Sequence, residues 1–454
     1  MSHFLVSHVS SVLARLVDFS SKPPVFLLGV SGGSDSIALL NLLYALKKKL
    51  NFKMFVVTVN HNIRPSEEGT GDVDFVCATC EKDFSDRVDC LVVEIPKGKI
   101  EKIKSIRGKG IEEAARFLRY KAFDGARAFF SADYVLTAHT KDDFYEGILM
   151  SFFRGSSPKA LLGMEEKRGC YLKPLLGIKK ETLRKYLVEK GISWREDQTN
   201  NSASYLRNRV RLSLIPAIQK VFPSWIEGIS KVLTKFSIDE HYIEDAYRAF
   251  LSTHSFWKKS DDGSIYSSSK DFFLMPKAFR IRFLQEGLIL LSIGYRVSYF
   301  SILKFIDVSK DGDEVCENGL SLSTKGNRLI LMCKKKKDMS RYSAKIGYMF
   351  WIFGDKDICI GGNIFHIKKN GEYAFVISES DAEMLGPFKL PFCIRSRLPG
   401  DVIRISGKIR TIKSIFSKWR IASNLSSILP IVEEGGVLKA IYGKVMGAKN
   451  LIGD

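Results

Sequence analysis

No run of about twenty apolar residues, the length a helix needs to cross a bilayer, interrupts the 454-residue sequence. The first twenty residues carry Phe4, Leu5, Val9, Val12, Leu13 and Leu16, but no basic stretch leads an apolar core, so no signal peptide is expected. Acidic charge is in short supply: 50 Asp and Glu stand against 70 Lys and Arg, a net charge of +20. That excess opposes compact folding through self-repulsion, and an enzyme of small metabolites has little use for it. A polyanion, above all nucleic acid, is the expected partner, with a generally basic proteome as the alternative. Cysteines are scattered; only Cys77 and Cys80 form a C-x-x-C pair, and no second pair completes a four-thiolate metal site. Among Phe75, Val76 and Ala78 they read as buried structural thiols. A cytoplasmic protein without membrane contact is expected.

What is present begins with alternation. The runs "VFLLGV" (25–30), "MFVVTVNH" (54–61), "DCLVVEI" (89–95) and "DYVLTAH" (133–139) alternate with helical patterns, the signature of a parallel α/β sheet buried on both faces. Longer amphipathic stretches from 217 read as a mostly helical middle domain, and short alternating segments after the charged joint at 333–345 read as a small strand-rich domain. The expected domains are 1–216, 217–335 and 345–454. "IPKGKIEKIKSIRGKG" (95–110) reads as a basic loop, either solvated or against RNA phosphates.

The turn in "LLGVSGGSDSIALL" (27–40) lacks the Lys that a Walker A loop places after its glycines. It nevertheless offers successive backbone N–H groups from Ser31, Gly32, Gly33, Ser34, Asp35 and Ser36, ahead of a helix N-terminus. Phosphate or pyrophosphate is its natural guest, an ordinary Gly-Ser turn the alternative. Asp35 would repel that anion unless a divalent cation or an amine lay between them.

"SGGSDS" resembles the SGGxDS signature of PP-loop ATP pyrophosphatases, which cleave ATP between the α and β phosphates. That implies a loop gripping the departing pyrophosphate, with no γ-phosphoryl transfer to require a Walker lysine. Further motifs, "GIEEAARFLRY" (110–120), "LTAHTKDDFYEGILMSFFRGSS" (136–157), "YLKPLLGIKKETLRKYL" (171–187), "WREDQTNNSASYLRNRVRLSLIP" (194–216) and "IRSRLPGDVIRISG" (394–407), resemble the tRNA(Ile)-lysidine synthetase family. The resemblance implies ATP and Mg²⁺, L-lysine, and a CAU-anticodon tRNA(Ile) whose wobble cytidine is adenylylated and then joined to lysine. It implies Asp35 at the metal or an amine and Arg116 at the α-phosphate, although Glu112 and Glu113 could occupy Arg116 in a surface pair. It also implies Asp142, Asp143 and Glu146 around the lysine amine, with His139 at phosphate or base. Without the resemblance, those acids would read as dipole-stabilising residues at a helix N-terminus.

For tRNA contact the candidates are Arg154, Arg207, Asn208, Arg209 and Arg211, and toward the acceptor end Arg395, Arg397, Lys413 and Lys418; a solvated basic face is the alternative. The family's AHHxDDQxET reads "AHTKDDFYEG" here, with Thr140, Phe144 and Gly147 replacing His, Gln and Thr. Two other readings stay open: a PP-loop tRNA thiolation enzyme, which would need a reactive thiol such as Cys77 or Cys80, and a tRNA-binding protein without catalysis. The sequence also leaves a homodimer open.

Overall fold

A computed structural model of the chain describes residues 2–62, 66–84, 86–107, 110–196, 206–260, 264–291, 299–306, 312–317, 320–333, 349–360, 363–379, 383–421 and 429–454. It divides into two compact units. The first comprises Met1–Phe144, Glu165–Asn200 and Ile346–Asp454, the second Tyr145–Met164 and Asn201–Lys345. The expected succession of three domains is thereby redrawn: the last segment joins the first, and the boundary at 216/217 falls inside the helix Ile215–Val221.

The amino-terminal elements follow the expected alternation: α1 (Ser2–Leu16), β1 (Val25–Gly29), α2 (Ser34–Leu50), β2 (Lys53–Asn60), α3 (Ser66–Lys82), β3 (Cys90–Glu94), α4 (Lys99–Arg107), α5 (Ile111–Phe129), β4 (Tyr134–Leu136), α6 (Lys141–Phe153), α7 (Pro158–Leu161), β5 (Lys167–Arg168), β6 (Tyr171–Leu172) and α8 (Lys180–Glu189). The sheet runs β3-β2-β1-β4-β6-β5. β1 pairs in parallel with β2 and β4, β2 with β3 and β4 with β6, while β5 is antiparallel at the edge. Successive side chains of β1 point to opposite faces. Phe26 and Leu28 join a core with α1, α2 and α8; Leu27 joins a second core with α4 and α5.

That second core explains why residues 346–454 belong to the first unit. Met349, Trp351, Phe353, Cys393 and Leu398 pack in it beside Ile100, Ile103, Leu118 and Ala122. A Cβ on Gly125 would lie 2.8 Å from the Trp351 Cβ, so only glycine lets α5 approach the strand Met349–Ile352 this closely. Charge accompanies the apolar contact. The Lys99 ammonium lies 2.6 Å from Glu433, and Lys102 lies 2.5 Å from Asp401. Arg395 bonds both Glu433 and Asp401, with only 1% of its surface exposed. The expected basic loop at 95–110 is therefore largely helix α4, and two of its lysines are committed inward.

Beyond this seam, residues 349–452 form a seven-stranded and a four-stranded sheet. The second unit combines long helices, among them Trp225–Thr253, with a five-stranded antiparallel sheet spanning 258–333. The joint at 334–348 lies outside the described residues.

Candidate active site

In an open parallel sheet, ligands bind at the carboxyl ends of the strands where the strand order reverses. Here that point lies between β1 and β4, since β2 and β3 extend to one side of β1 and β4 to the other. The 31–36 turn follows β1, and residues 137–143 follow β4.

Gly32 has φ +82°, a left-handed conformation that costs any other residue strain. The turn is braced from within: the Ser36 hydroxyl donates to the Gly33 carbonyl at 2.9 Å and accepts from the Ser31 N–H at 3.2 Å. Gly33 is the N-cap of α2 but contributes no side-chain cap, leaving the helix N-terminus without a bonded side chain at that position. Ser34 and Ser36 are buried, and Asp35 sits in the first turn of α2.

Burial above all pushes the Asp35 carboxyl above its ordinary pKa, and the charge of Asp143 adds to the rise; Lys180 and the Ser34 hydroxyl oppose it. The Lys180 ammonium lies 3.0 Å from Asp35 Oδ2. Its backbone N–H, at the start of α8, donates to Asp142 Oδ2 at 2.7 Å. The sequence reading passed over Lys180. A signal was available, because a lysine in a helix's first turn opposes the dipole. Arg195 was also missed: its N–H donates to the Gly32 carbonyl at 2.9 Å, and its guanidinium lies 3.2 Å from Asp72.

Among the described residues no group of three or more His, Cys, Asp or Glu side chains forms a ready metal cage. Magnesium keeps several waters and uses only one or two carboxylates beside substrate phosphates. Asp35, destabilised by a second carboxylate, fits such an ion.

Asp143 and Thr140 form a capping box at the start of α6. Asp143 Oδ2 accepts from the Thr140 N–H at 2.9 Å and from its hydroxyl at 3.0 Å, and the Asp143 N–H points back to that hydroxyl at 3.4 Å. The substitution of Thr140 for the family's histidine thus places a cap where an imidazole was expected. Gly147 stands in open space; a Cβ there would meet nothing within 4 Å. His139 Nδ1 lies 2.9 Å from the Thr137 hydroxyl. Arg116 is exposed and leans on Tyr120, 3.1 Å from its hydroxyl, while Glu113 pairs instead with Arg107. Beside it, Lys173 at the end of β6 is buried; burial, then Arg116, lowers its pKa.

In the second unit Glu146 is 1% exposed and accepts from Arg207 Nε at 2.8 Å and Arg211 Nε at 2.6 Å. Two expected RNA contacts and one expected lysine contact are thus bonded to each other. Asn208 is buried, while Arg209 and Arg154 are exposed. In the first unit Lys413 and Lys418 are exposed, and Arg397 lies over the Phe416 ring. Arg395 corrects the expectation of a tRNA contact: buried between two carboxylates, its guanidinium is spent within the fold. The 197–205 part of the "WREDQTNNSASYLRNRVR" motif lies outside the described residues, as does 422–428.

Burial raises the Cys77 thiol, and contact with Cys80 together with burial raises that of Cys90, so neither has the lowered pKa of a reactive thiolate. Among the described residues no helix is long and apolar enough to cross a membrane.

A family described as PP-loop domain matches residues 5–218. The chain is 39% identical over 445 residues to a tRNA(Ile)-lysidine synthase of Treponema denticola, covering 97% of this chain and 95% of the relative. It is 32% identical over 471 residues to the enzyme of that name from Treponema pallidum, covering 99% and 96%. A Clostridium acetobutylicum protein of the same name is 27% identical over 447 residues, covering 89% and 94%.

Proposed function

Because the chain belongs to the tRNA(Ile)-lysidine synthase family, and is a ligase of that family with an ATP-binding PP-loop domain, we propose that it joins L-lysine to the wobble cytidine of a CAU-anticodon tRNA(Ile). The observation that carries this reading is the glycine turn of residues 31–36, backed by a helix N-terminus and meeting the acidic start of α6 at the carboxyl edge of the sheet.

In the first step the cytidine carbonyl oxygen attacks the α-phosphate of ATP, and the bond to pyrophosphate breaks. Backbone N–H groups of residues 31–36 and the α2 dipole hold the pyrophosphate. Asp35 would hold magnesium, which would supply charge neutralisation at the phosphates. Arg116 faces the charge building at the α-phosphate. In the second step the lysine ε-amine attacks the ring carbon that carries the adenylylated oxygen, the bond from that carbon to the oxygen breaks as AMP leaves, and the amine gives up a proton. Asp143 is the carboxylate we assign to hold that amine, with His139 at phosphate or base.

The exposed Arg154 and Arg209 and the exposed Lys413 supply charge for the tRNA backbone, with Arg397 beside them in role. We assign this work, which consumes ATP and tRNA, to the cytoplasm. The raised thiols at Cys77 and Cys90 favour this reading over thiolation. The test is pyrophosphate release that requires the tRNA, followed by AMP release that requires lysine. Pyrophosphate release indifferent to tRNA would contradict it.

A further inference from the structure

The glycine turn carries no lysine of its own, yet an ammonium lies against it. Lys180 reaches Asp35 at 3.0 Å from the first turn of α8, 145 positions later in the chain (180 − 35). The side chain retains 27% of its exposure, so it is not sealed within the fold. Its main chain is anchored as well, through the 2.7 Å bond from the Lys180 N–H to Asp142. A lysine in that turn stands against the α8 dipole, a placement with no benefit to the helix itself. Nor is simple neutralisation of Asp35 a sufficient reason. An uncharged residue at 35 would need no counterion, so the pair as a whole, an acid and an ammonium held against the phosphate turn, is what calls for a reason.

We propose that Lys180 is the phosphate-binding cation of the loop: it pairs with Asp35 before ATP binds and contacts the β- and γ-phosphoryl oxygens afterwards, stabilising the pyrophosphate as it leaves. The sequence supplies the loop and its cation from two distant segments, and the fold brings them together where strand order reverses. An ammonium serves as a point charge for phosphate, as the lysine of a Walker loop does, without requiring γ-phosphoryl transfer. Asp35 keeps the flexible stem aimed at the turn until the nucleotide binds. The inference rests on the reading of the 31–36 turn as the ATP site.

The experiment is calorimetric titration of the full chain with ATP, inorganic pyrophosphate and AMP, for the native protein, Lys180→Met and Lys180→Arg. Lys180→Met is expected to weaken ATP and pyrophosphate at least about tenfold, the scale of one charge-assisted hydrogen bond, and to leave AMP within about twofold. Lys180→Arg restores most of the loss. Equal weakening of all three ligands, or ATP and pyrophosphate unchanged, overturns the proposal. A native chain that binds none of the three would overturn the ATP-site reading itself. Reductive methylation of the native chain, read by mass spectrometry, needs no variant: pyrophosphate is expected to protect Lys180 and AMP to leave it reactive. Equal modification with and without pyrophosphate contradicts the proposal.

Discussion

Glu433 holds the Lys99 ammonium at 2.6 Å across 334 positions of sequence, with both side chains buried. Arg395 bonds the same carboxylate and reaches on to Asp401, which also takes Lys102. The C-terminal segment is thus clamped to α4 by alternating charges and to α5 by Trp351 and Phe353.

Replacing Glu433 by Gln leaves two buried cations with one carboxylate fewer, and the expected cost is about 3–5 kcal/mol. Hydrogen exchange of α4 checks it: protection falls there in the variant and is retained in α2.

The same seam sets an acid limit. Although burial pushes their carboxyls up, Arg395 with Lys99 for Glu433, and Arg395 with Lys102 for Asp401, hold both below the ordinary carboxylate range. Groups depressed in the folded state stabilise above their unfolded pKa, near 4, and lose that contribution as pH falls through the folded values. Thermal melts of the native chain should therefore lose stability below about pH 4, and Glu433→Gln should show a shallower loss. Equal slopes would contradict the assignment.

Gly32→Ala tests the turn. The left-handed φ of +82° would cost an alanine of order 1–3 kcal/mol. Because the strain is local to the phosphate turn, ATP affinity should drop by about tenfold or more, measured by calorimetry.

Arg209 and Arg211 separate RNA contact from fold. Arg209 is exposed, so Arg209→Ala should change stability by no more than about 0.5 kcal/mol. It should also flatten the dependence of log tRNA affinity on log salt by about 0.7–0.9. Arg211 is bonded to buried Glu146, so Arg211→Ala should destabilise the second unit by about 1–3 kcal/mol, read by thermal melting.

How much of this was legible in advance follows from what a sequence encodes locally. β1 to β4 were readable because buried parallel strands are short apolar runs, and the glycine turn because its residues are contiguous. Lys180 was not, because its partner Asp35 is distant in the chain and only the sheet order joins them. The lysines and glycines of 95–110 read as a loop, although Ile100 and Ile103 carry a helical spacing and both are buried. Arg395 reads as an RNA contact because spacing cannot tell an exposed cation from a buried one; its neighbours Phe392, Cys393 and Ile394, all buried, are the better guide. The acids after β4 stand at a helix N-terminus, the alternative to a lysine site in the sequence, and only coordinates separate Asp142 on α8, Asp143 on Thr140 and Glu146 on its two arginines.

The most direct test of the account is incorporation of labelled lysine into a CAU-anticodon isoleucine transcript with ATP and Mg²⁺, beside the elongator methionine tRNA with the same anticodon. The account predicts label in the isoleucine transcript alone, abolished by Asp35→Asn. Absence of label despite tight, salt-sensitive binding of that tRNA would contradict it.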